Sequence, residues 1–341
     1  MKKILLLITG LILCVGLFAN ITPYGSARLG WTLFENYDDP GDGQSYILSD
    51  FRLQSNSHFG INFENGDLTA NVEVNSIFVD NSFNFLNLRQ LWAEKSFGNW
   101  SLLVGITEDR ANFFPNQVWA DDLGLIGFGA VDSGTNPMVR LSTREGFYAA
   151  LMAPTMDAVG EETISFFMPK INLGWDVEFN NYPIRLFPSL TFQMLADDED
   201  LGGRDETLVS FLLNTTAEFD LTPDMTLTAN VNIGINAADM GYDGLRAGAV
   251  WDGEEWVDTT TIGLWMNYLY RFPAFDLNAG FGMMMYSGDN FDDAETDMGF
   301  FLNGVFKLKD NLFLTPEFGM FMPEGDDNSE MYLGVQLRLD F

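Results

Sequence analysis

Met225-Thr-Leu-Thr-Ala-Asn-Val-Asn-Ile-Gly-Ile235 is the stretch whose reading decides the fold. Met225, Leu227, Ala229, Val231, Ile233 and Ile235 fall on one side of an extended chain, with Thr226, Thr228, Asn230 and Asn232 on the other. Successive side chains of a strand point to opposite faces, so this segment is a strand with one apolar and one wet face.

The pattern recurs along the chain. Ala27, Leu29, Trp31 and Leu33 oppose Ser26, Arg28, Gly30 and Thr32, and Leu68, Ala70, Val72, Val74 and Phe78 oppose Thr69, Asn71, Glu73 and Asn75. Residues 50–63 read as one unbroken strand, with Phe51, Leu53, Phe59, Ile61 and Phe63 opposite Arg52, Gln54, Asn56, His58 and Asn62. Residues 171–179, 262–271 and 275–285 alternate too, although Trp265 and Leu269 interrupt the wet face of the second. Weaker segments near 84–95, 100–106, 136–142, 146–152, 183–194, 206–219, 297–306 and 312–321 bring the total to about sixteen, an even number as bacterial barrels require. Two stretches fit badly. Placing Arg89 on the wet face leaves Gln90 and Glu94 on the apolar one, and 146–152 lacks polarity.

Composition points the same way. Apolar residues make up 47% of the chain and aromatics 14%, including 31 Phe, yet after residue 19 no apolar run is long enough for a membrane helix, which needs roughly 20 residues. A closed sheet with its apolar face in lipid satisfies every backbone hydrogen bond within the sheet and places the aromatics outside. The connections 64–67, 96–99, 143–146, 180–183, 221–224, 272–274 and 308–311 are short and rich in turn residues such as Asn65-Gly66-Asp67. The alternate ones, 35–49, 107–135, 153–168, 195–205, 236–259, 287–296 and 322–330, are mostly long and acidic. Short turns at one rim and long loops at the other characterise a barrel that crosses the bacterial outer membrane.

Lys2 and Lys3, followed by the apolar run 4–18 and then Ala19-Asn20, have the layout of a secretory signal peptide cleaved after Ala19. Residues 1–19 are therefore read as the signal peptide and 20–341 as the barrel. A retained anchor helix is the rival, and Leu13 ahead of Cys14 speaks against lipidation. Without this segment the chain has no cysteine, 15 basic residues against 49 acidic ones, and a formal charge of −34. Such a chain repels nucleic acid, and with His58 as its lone histidine it lacks a multi-histidine metal centre. No cofactor is expected.

The chain ends Met331-Tyr-Leu-Gly-Val-Gln-Leu-Arg-Leu-Asp-Phe341, with Arg338 on the face opposite Leu337 and Leu339. Placing Arg338 in lipid at mid-depth would cost about 2–4 kcal/mol, so its face is the lumen. This alternation, closed by Phe341, resembles the sorting signal of bacterial outer-membrane proteins. With the strand pattern and loop asymmetry, the chain resembles a sixteen-stranded porin. That resemblance implies an outer-membrane location, a homotrimer, contact with lipid, lipopolysaccharide and the outer-membrane assembly machinery, and a third external loop folded into the lumen, for which 107–135 is the candidate. The function implied is a water-filled channel for passive diffusion of small hydrophilic solutes and ions.

Lining charges and the narrowest diameter set selectivity in a channel. Arg28, Arg52, Arg89 and Arg140 have lumen-facing parity, while Glu108, Asp109, Asp121, Asp122 and Asp132 lie in the proposed constriction loop. Two readings of these residues stand side by side: opposed walls that create a transverse field, or arginines that solvate a wet wall and pair with nearby carboxylates. Acidic runs at Asp197-Asp198-Glu199-Asp200, Asp292-Asp293 and Asp326-Asp327 read as solvated external loops whose field gathers cations. The alternatives are a substrate-selective uptake channel, an adhesin or envelope tether, and a barrel enzyme. The last would need His58, and no neighbouring serine shares its face.

Overall fold

The computed structural model describes residues 20–39, 44–79, 82–109, 113–115, 117–118, 124–155, 164–179, 182–197, 206–246, 248–252, 254–288, 291, 294–324 and 329–341. Hydrophobic alternation becomes sixteen barrel strands. The first eight are β1 (Asn20–Asp39), β2 (Gln44–Leu53, resumed as His58–Asn65), β3 (Leu68–Val79), β4 (Ser82–Phe97), β5 (Trp100–Glu108), β6 (Thr135–Thr143), β7 (Phe147–Met152) and β8 (Ile164–Trp175, resumed as Val177–Glu178). The others are β9 (Ile184–Asp197), β10 (Thr207–Thr222), β11 (Met225–Ile235), β12 (Thr259–Arg271), β13 (Phe275–Gly288), β14 (Glu295–Lys309), β15 (Leu312–Met322) and β16 (Glu330–Asp340).

Each strand pairs antiparallel with its neighbours in sequence, and β16 returns to β1 in the register Arg28↔Arg338 and Leu29↔Leu337. The seam is tied off at the terminus, where Gly25 and Phe341 exchange backbone hydrogen bonds of 2.9 and 3.0 Å and Phe341 stacks near Phe59. Closure leaves the barrel sheet without an edge strand among the described residues.

Burial is inverted relative to a water-soluble protein. Asn172, Asn232, Thr216 and Thr261 are fully buried, whereas Trp31, Val139, Leu151, Val231 and Leu302 lie exposed on the opposite face. Polar groups buried among partners on the inside and a continuous apolar exterior are what lipid outside and polar contents inside demand.

Three sequence expectations need correction or completion. The unbroken strand over 50–63 is interrupted at residues 54–57, because these residues fold back on Arg28. The Gln54 N–H donates to the Arg28 carbonyl at 2.9 Å, and the Arg28 N–H donates to Ser57 Oγ at 2.9 Å. Gln90 and Glu94 are not on the lipid side. The pairing of β3 with β4 steps from Glu73↔Gln90 to Val74↔Leu88, so Arg89 is the extra residue of a β-bulge, which changes the facing of every residue beyond it. Glu94 then faces inward and accepts a hydrogen bond from Ser101. Segment 146–152 is a true strand whose inner face carries Tyr148, Ala150 and Met152. Ala150 and Met152 pack with Leu103 and Met138 as an apolar patch on the inner wall.

Candidate functional site: the lumen and its infolded loops

Residues 113–133 of the β5–β6 connection, as far as they are described, lie against the inner wall. Gln54 Nε2 donates to the Val118 carbonyl at 2.9 Å, and the Val118 N–H donates to Glu317 Oε2 at 2.6 Å. Gln117 Nε2 donates to Tyr332 Oη at 2.7 Å, and Asn232 Nδ2 donates to the Gly129 carbonyl at 2.7 Å. These partners come from the break in β2 and from β15, β16 and β11, so the segment runs across the barrel rather than along one side.

Its apolar side explains Trp265. Leu125 and Ala130 pack with Trp265, Phe301, Phe321 and Tyr332, and Phe128 stacks on Phe321 with ring centroids 4.4 Å apart. Inward apolar residues that break the wet face are thus the floor on which the loop sits. Two glycines make room for it. A Cβ on Gly282 would collide with the Phe128 carbonyl oxygen, and one on Gly299 would stand 3.1 Å from Phe128 Cβ.

The β11–β12 connection also enters. After the left-handed Asn236 (φ 51°), the single 3-10 turn Ala237–Met240 leads to Tyr242, which packs with Val131, Met240, Met284 and Tyr286. Asp132 and Asp243 join the two loops by exchanging backbone hydrogen bonds of 2.7 and 3.1 Å.

The basic residues are dispersed. Arg89 donates to Glu73 Oε1 at 2.6 Å and forms a second ion pair with Glu108, which ends β5. For Arg89, pairing with nearby carboxylates describes the contacts seen. Arg28 is partly buried and donates through Nε to Ser26 Oγ at 3.0 Å, and the half-exposed Arg52 pairs with Asp50 at 3.3 Å. Arg140 is buried in register with Leu103 and Ala150. Asp109 is buried and its Oδ2 accepts hydrogen bonds of 3.2 Å from Asn172 and from Tyr242. Asp121 and Asp122 lie outside the described residues, as do the acidic runs 198–200, 292–293 and 326–327.

Sequence reasoning missed Lys170, Glu317, Tyr332 and Gln54. All four sit on the inward parity of a strand or at its break, and that was the available signal. Lys170 escaped because it follows Pro169 at the edge of the readable alternation. His58 donates through Nδ1 to the Asn56 carbonyl at 2.9 Å and meets Tyr24 at 5.9 Å, while Ser57 Oγ is engaged by the Arg28 backbone.

Burial pushes the Asp132 carboxyl up to about 6; the Gly134 N–H and Arg89 oppose the rise, and Glu108 and Asp243 add to it. Asp239 is also pushed up to about 6, by burial and by Asp258, against the Ala249 N–H. A carboxyl that binds its proton more tightly when docked favours docking at low pH. That stabilisation is full below the carboxylate's ordinary range near 4, falls as pH rises to about 6, and is absent above. Hydrogen exchange of the loop amides should therefore slow as pH drops through 6, after correction for intrinsic rates. Asp132→Asn combined with Asp239→Asn should flatten that profile; an unchanged profile in the double variant would exclude these carboxyls as its cause.

No family model matches the chain, and no curated protein matches it. Solved structures match by fold. The outer-membrane channel DcaP of Acinetobacter baumannii aligns with a TM-score of 0.79 at 16% identity, over 95% of this chain and 98% of that one. An anion-selective porin from Comamonas acidovorans aligns with a TM-score of 0.61 at 14% identity, over 95% and 100%. A trimer form of OmpT, an outer membrane protein of Vibrio cholerae, aligns with a TM-score of 0.59 at 11% identity, over 95% and 100%. At these identities the shared property is the fold, a sixteen-stranded porin-type barrel.

Proposed function

We propose that this chain is an outer-membrane porin, a water-filled channel for passive diffusion of small hydrophilic solutes and ions that favours cations. The observation that carries the reading is a loop folded across a polar, charge-bearing interior inside an apolar exterior. A loop held across the lumen narrows the path, and the charges around it select what enters. Cation preference follows from the acid surplus. Arg89 is held between Glu73 and Glu108, while Asp132, Asp239 and Asp276 add negative charge on the inner strands and loops.

On the same reading residues 1–19, outside the described residues, direct export; residues 107–135 contribute the constriction, and Phe341 takes part in recognition by the assembly machinery. The barrel forms a homotrimer in lipid and lipopolysaccharide. The trimer form of the Vibrio cholerae structure supports that assembly.

Reversal potentials across planar bilayers in a potassium chloride gradient test the channel and its preference together. Stable open steps with a reversal potential of cation-selective sign are expected. A sealed barrel would exclude the channel, and anion-selective sign would overturn the preference alone. The preference should weaken as salt is raised, because screening shortens the reach of the lining charges.

A further inference from the structure

Lys170 is unusual among the basic residues. It is 1% exposed, and no carboxylate is within ion-pairing distance of its ammonium among the described residues. Instead Nζ donates to Asn136 Oδ1 at 3.2 Å, Thr155 Oγ1 at 3.3 Å and the Met240 carbonyl at 2.9 Å. These acceptors belong to β6, to the segment after β7 and to the infolded β11–β12 loop. An ammonium has three donors and needs about that many acceptors when taken out of water. Here the set is complete only while Met240 is in place.

Asp109 grips the same loop two residues further on. Its Oδ2 accepts from Tyr242 Oη, while Asn172 Nδ2 reaches both Asp109 and Thr191 Oγ1. Thr155 Oγ1 donates to the Met240 carbonyl at 3.0 Å, and Gln193 Nε2 donates to the Thr155 carbonyl at 2.7 Å. One buried cation of the wall and one buried anion just past the end of β5 thus hold neighbouring residues of one loop. Through the Asp132–Asp243 pairing that loop is joined to the segment crossing the lumen.

We propose that Lys170 and Asp109 form a latch that holds the β11–β12 loop inside the barrel as a second constriction element. The size limit for solutes is then set by two loops acting together, and neither latch residue serves as a charge offered to passing ions. This rests on the channel reading. A wall charge meant to attract ions would keep its head in water, whereas these two are engaged by fixed partners of the loop. Lys170 and Asp109 are positioning residues.

Neutral solutes separate the latch from an electrostatic role, because their entry depends on size and not on lining charge. Liposomes containing the full-length protein are tested for swelling in sugars graded from pentose to tetrasaccharide. Lys170→Met, which keeps length but removes the donors, and Asp109→Leu, which keeps the branched shape but removes the acceptor, should each admit larger sugars than the unmodified protein. The pair together should gain little beyond the single changes, since both release one loop. Asp132→Cys with Asp243→Cys supplies the control. Facing residues on an antiparallel bridge lie within reach of a disulfide. Oxidation should restore the original limit in the Lys170→Met background, and reduction should abolish the restoration. If Lys170→Met changes ion selectivity and leaves the sugar limit untouched, the latch is wrong and Lys170 is a lining charge. A Lys170→Met barrel that does not assemble moves the decision to Asp109→Leu, whose unchanged limit likewise overturns the latch. Absence of swelling with every sugar in the unmodified protein defeats the channel reading instead.

Discussion

Replacing Glu317 with alanine should release the 113–133 segment from the wall and raise single-channel conductance, with slow excursions to larger open levels. Glu317 is 1% exposed and holds three donors at once: the Val118 N–H at 2.6 Å, Asn303 Nδ2 at 2.8 Å and Tyr332 Oη at 2.8 Å. Tyr332 in turn receives Gln117, whose Oε1 accepts the Leu125 N–H at 2.8 Å. Alanine leaves these donors facing a gap. Each buried donor that water fails to reach weakens docking by about 1–3 kcal/mol, and about 1.4 kcal/mol already shifts an equilibrium tenfold. Several such losses would make the undocked loop a substantial population. Glu317→Gln is the internal comparison. It keeps one carbonyl acceptor and the same volume, so its conductance should fall between the parent and Glu317→Ala. Conductance traces of Glu317→Ala that match the parent would show that the loop is held by its apolar floor at Trp265, Phe321 and Tyr332 and owes little to this carboxylate.

A single charge on the exterior should have the opposite locus and an equally large effect. Val139 sits at the middle of β6, 44% exposed, between the inward Met138 and Arg140. Val139→Arg should lower the unfolding free energy in lipid vesicles by about 2–4 kcal/mol, the penalty for arginine near the bilayer midplane. A surface facing water would give a change within about 0.5 kcal/mol. The measurement is a reversible denaturant titration with the barrel folded into bilayers. A near-zero change would remove the lipid-facing assignment of this face, and with it the membrane reading of the whole exterior.

The alternation was legible because its cause is local. Successive Cβ atoms of a strand point to opposite sides whatever the rest of the chain does, so Met225–Ile235 and residues 331–341 reveal strands, faces and even the wet side from the residues alone. Where a few residues depart from the simple ladder, parity reasoning failed for a definite reason. The extra residue at Arg89 changes the facing of Gln90 and Glu94, and residues 54–57 leave the ladder to bond to Arg28. The strings mark each departure only as a local misfit, Gln90 and Glu94 or Ser55 and Ser57 on the apolar parity, and not its cause, since each answers a demand from the adjacent strand.

The site was legible only in outline. Parity placed Arg28, Arg89 and Arg140 inward, and length singled out 107–135, but the partners of those charges come from strands far apart in sequence. Lys170 meets Met240 across seventy residues, and Gln117 meets Tyr332 across 215. The amino-acid sequence by itself determined a closed antiparallel sheet of about sixteen strands, its apolar exterior and its acidic charge, because period-two alternation and turn chemistry act between neighbours. Only the tertiary structure decided which loops enter the lumen, which wall receives them and which charges are consumed in holding them. Those choices depend on packing and hydrogen bonds that exist only once the barrel has closed and brought distant strands within reach.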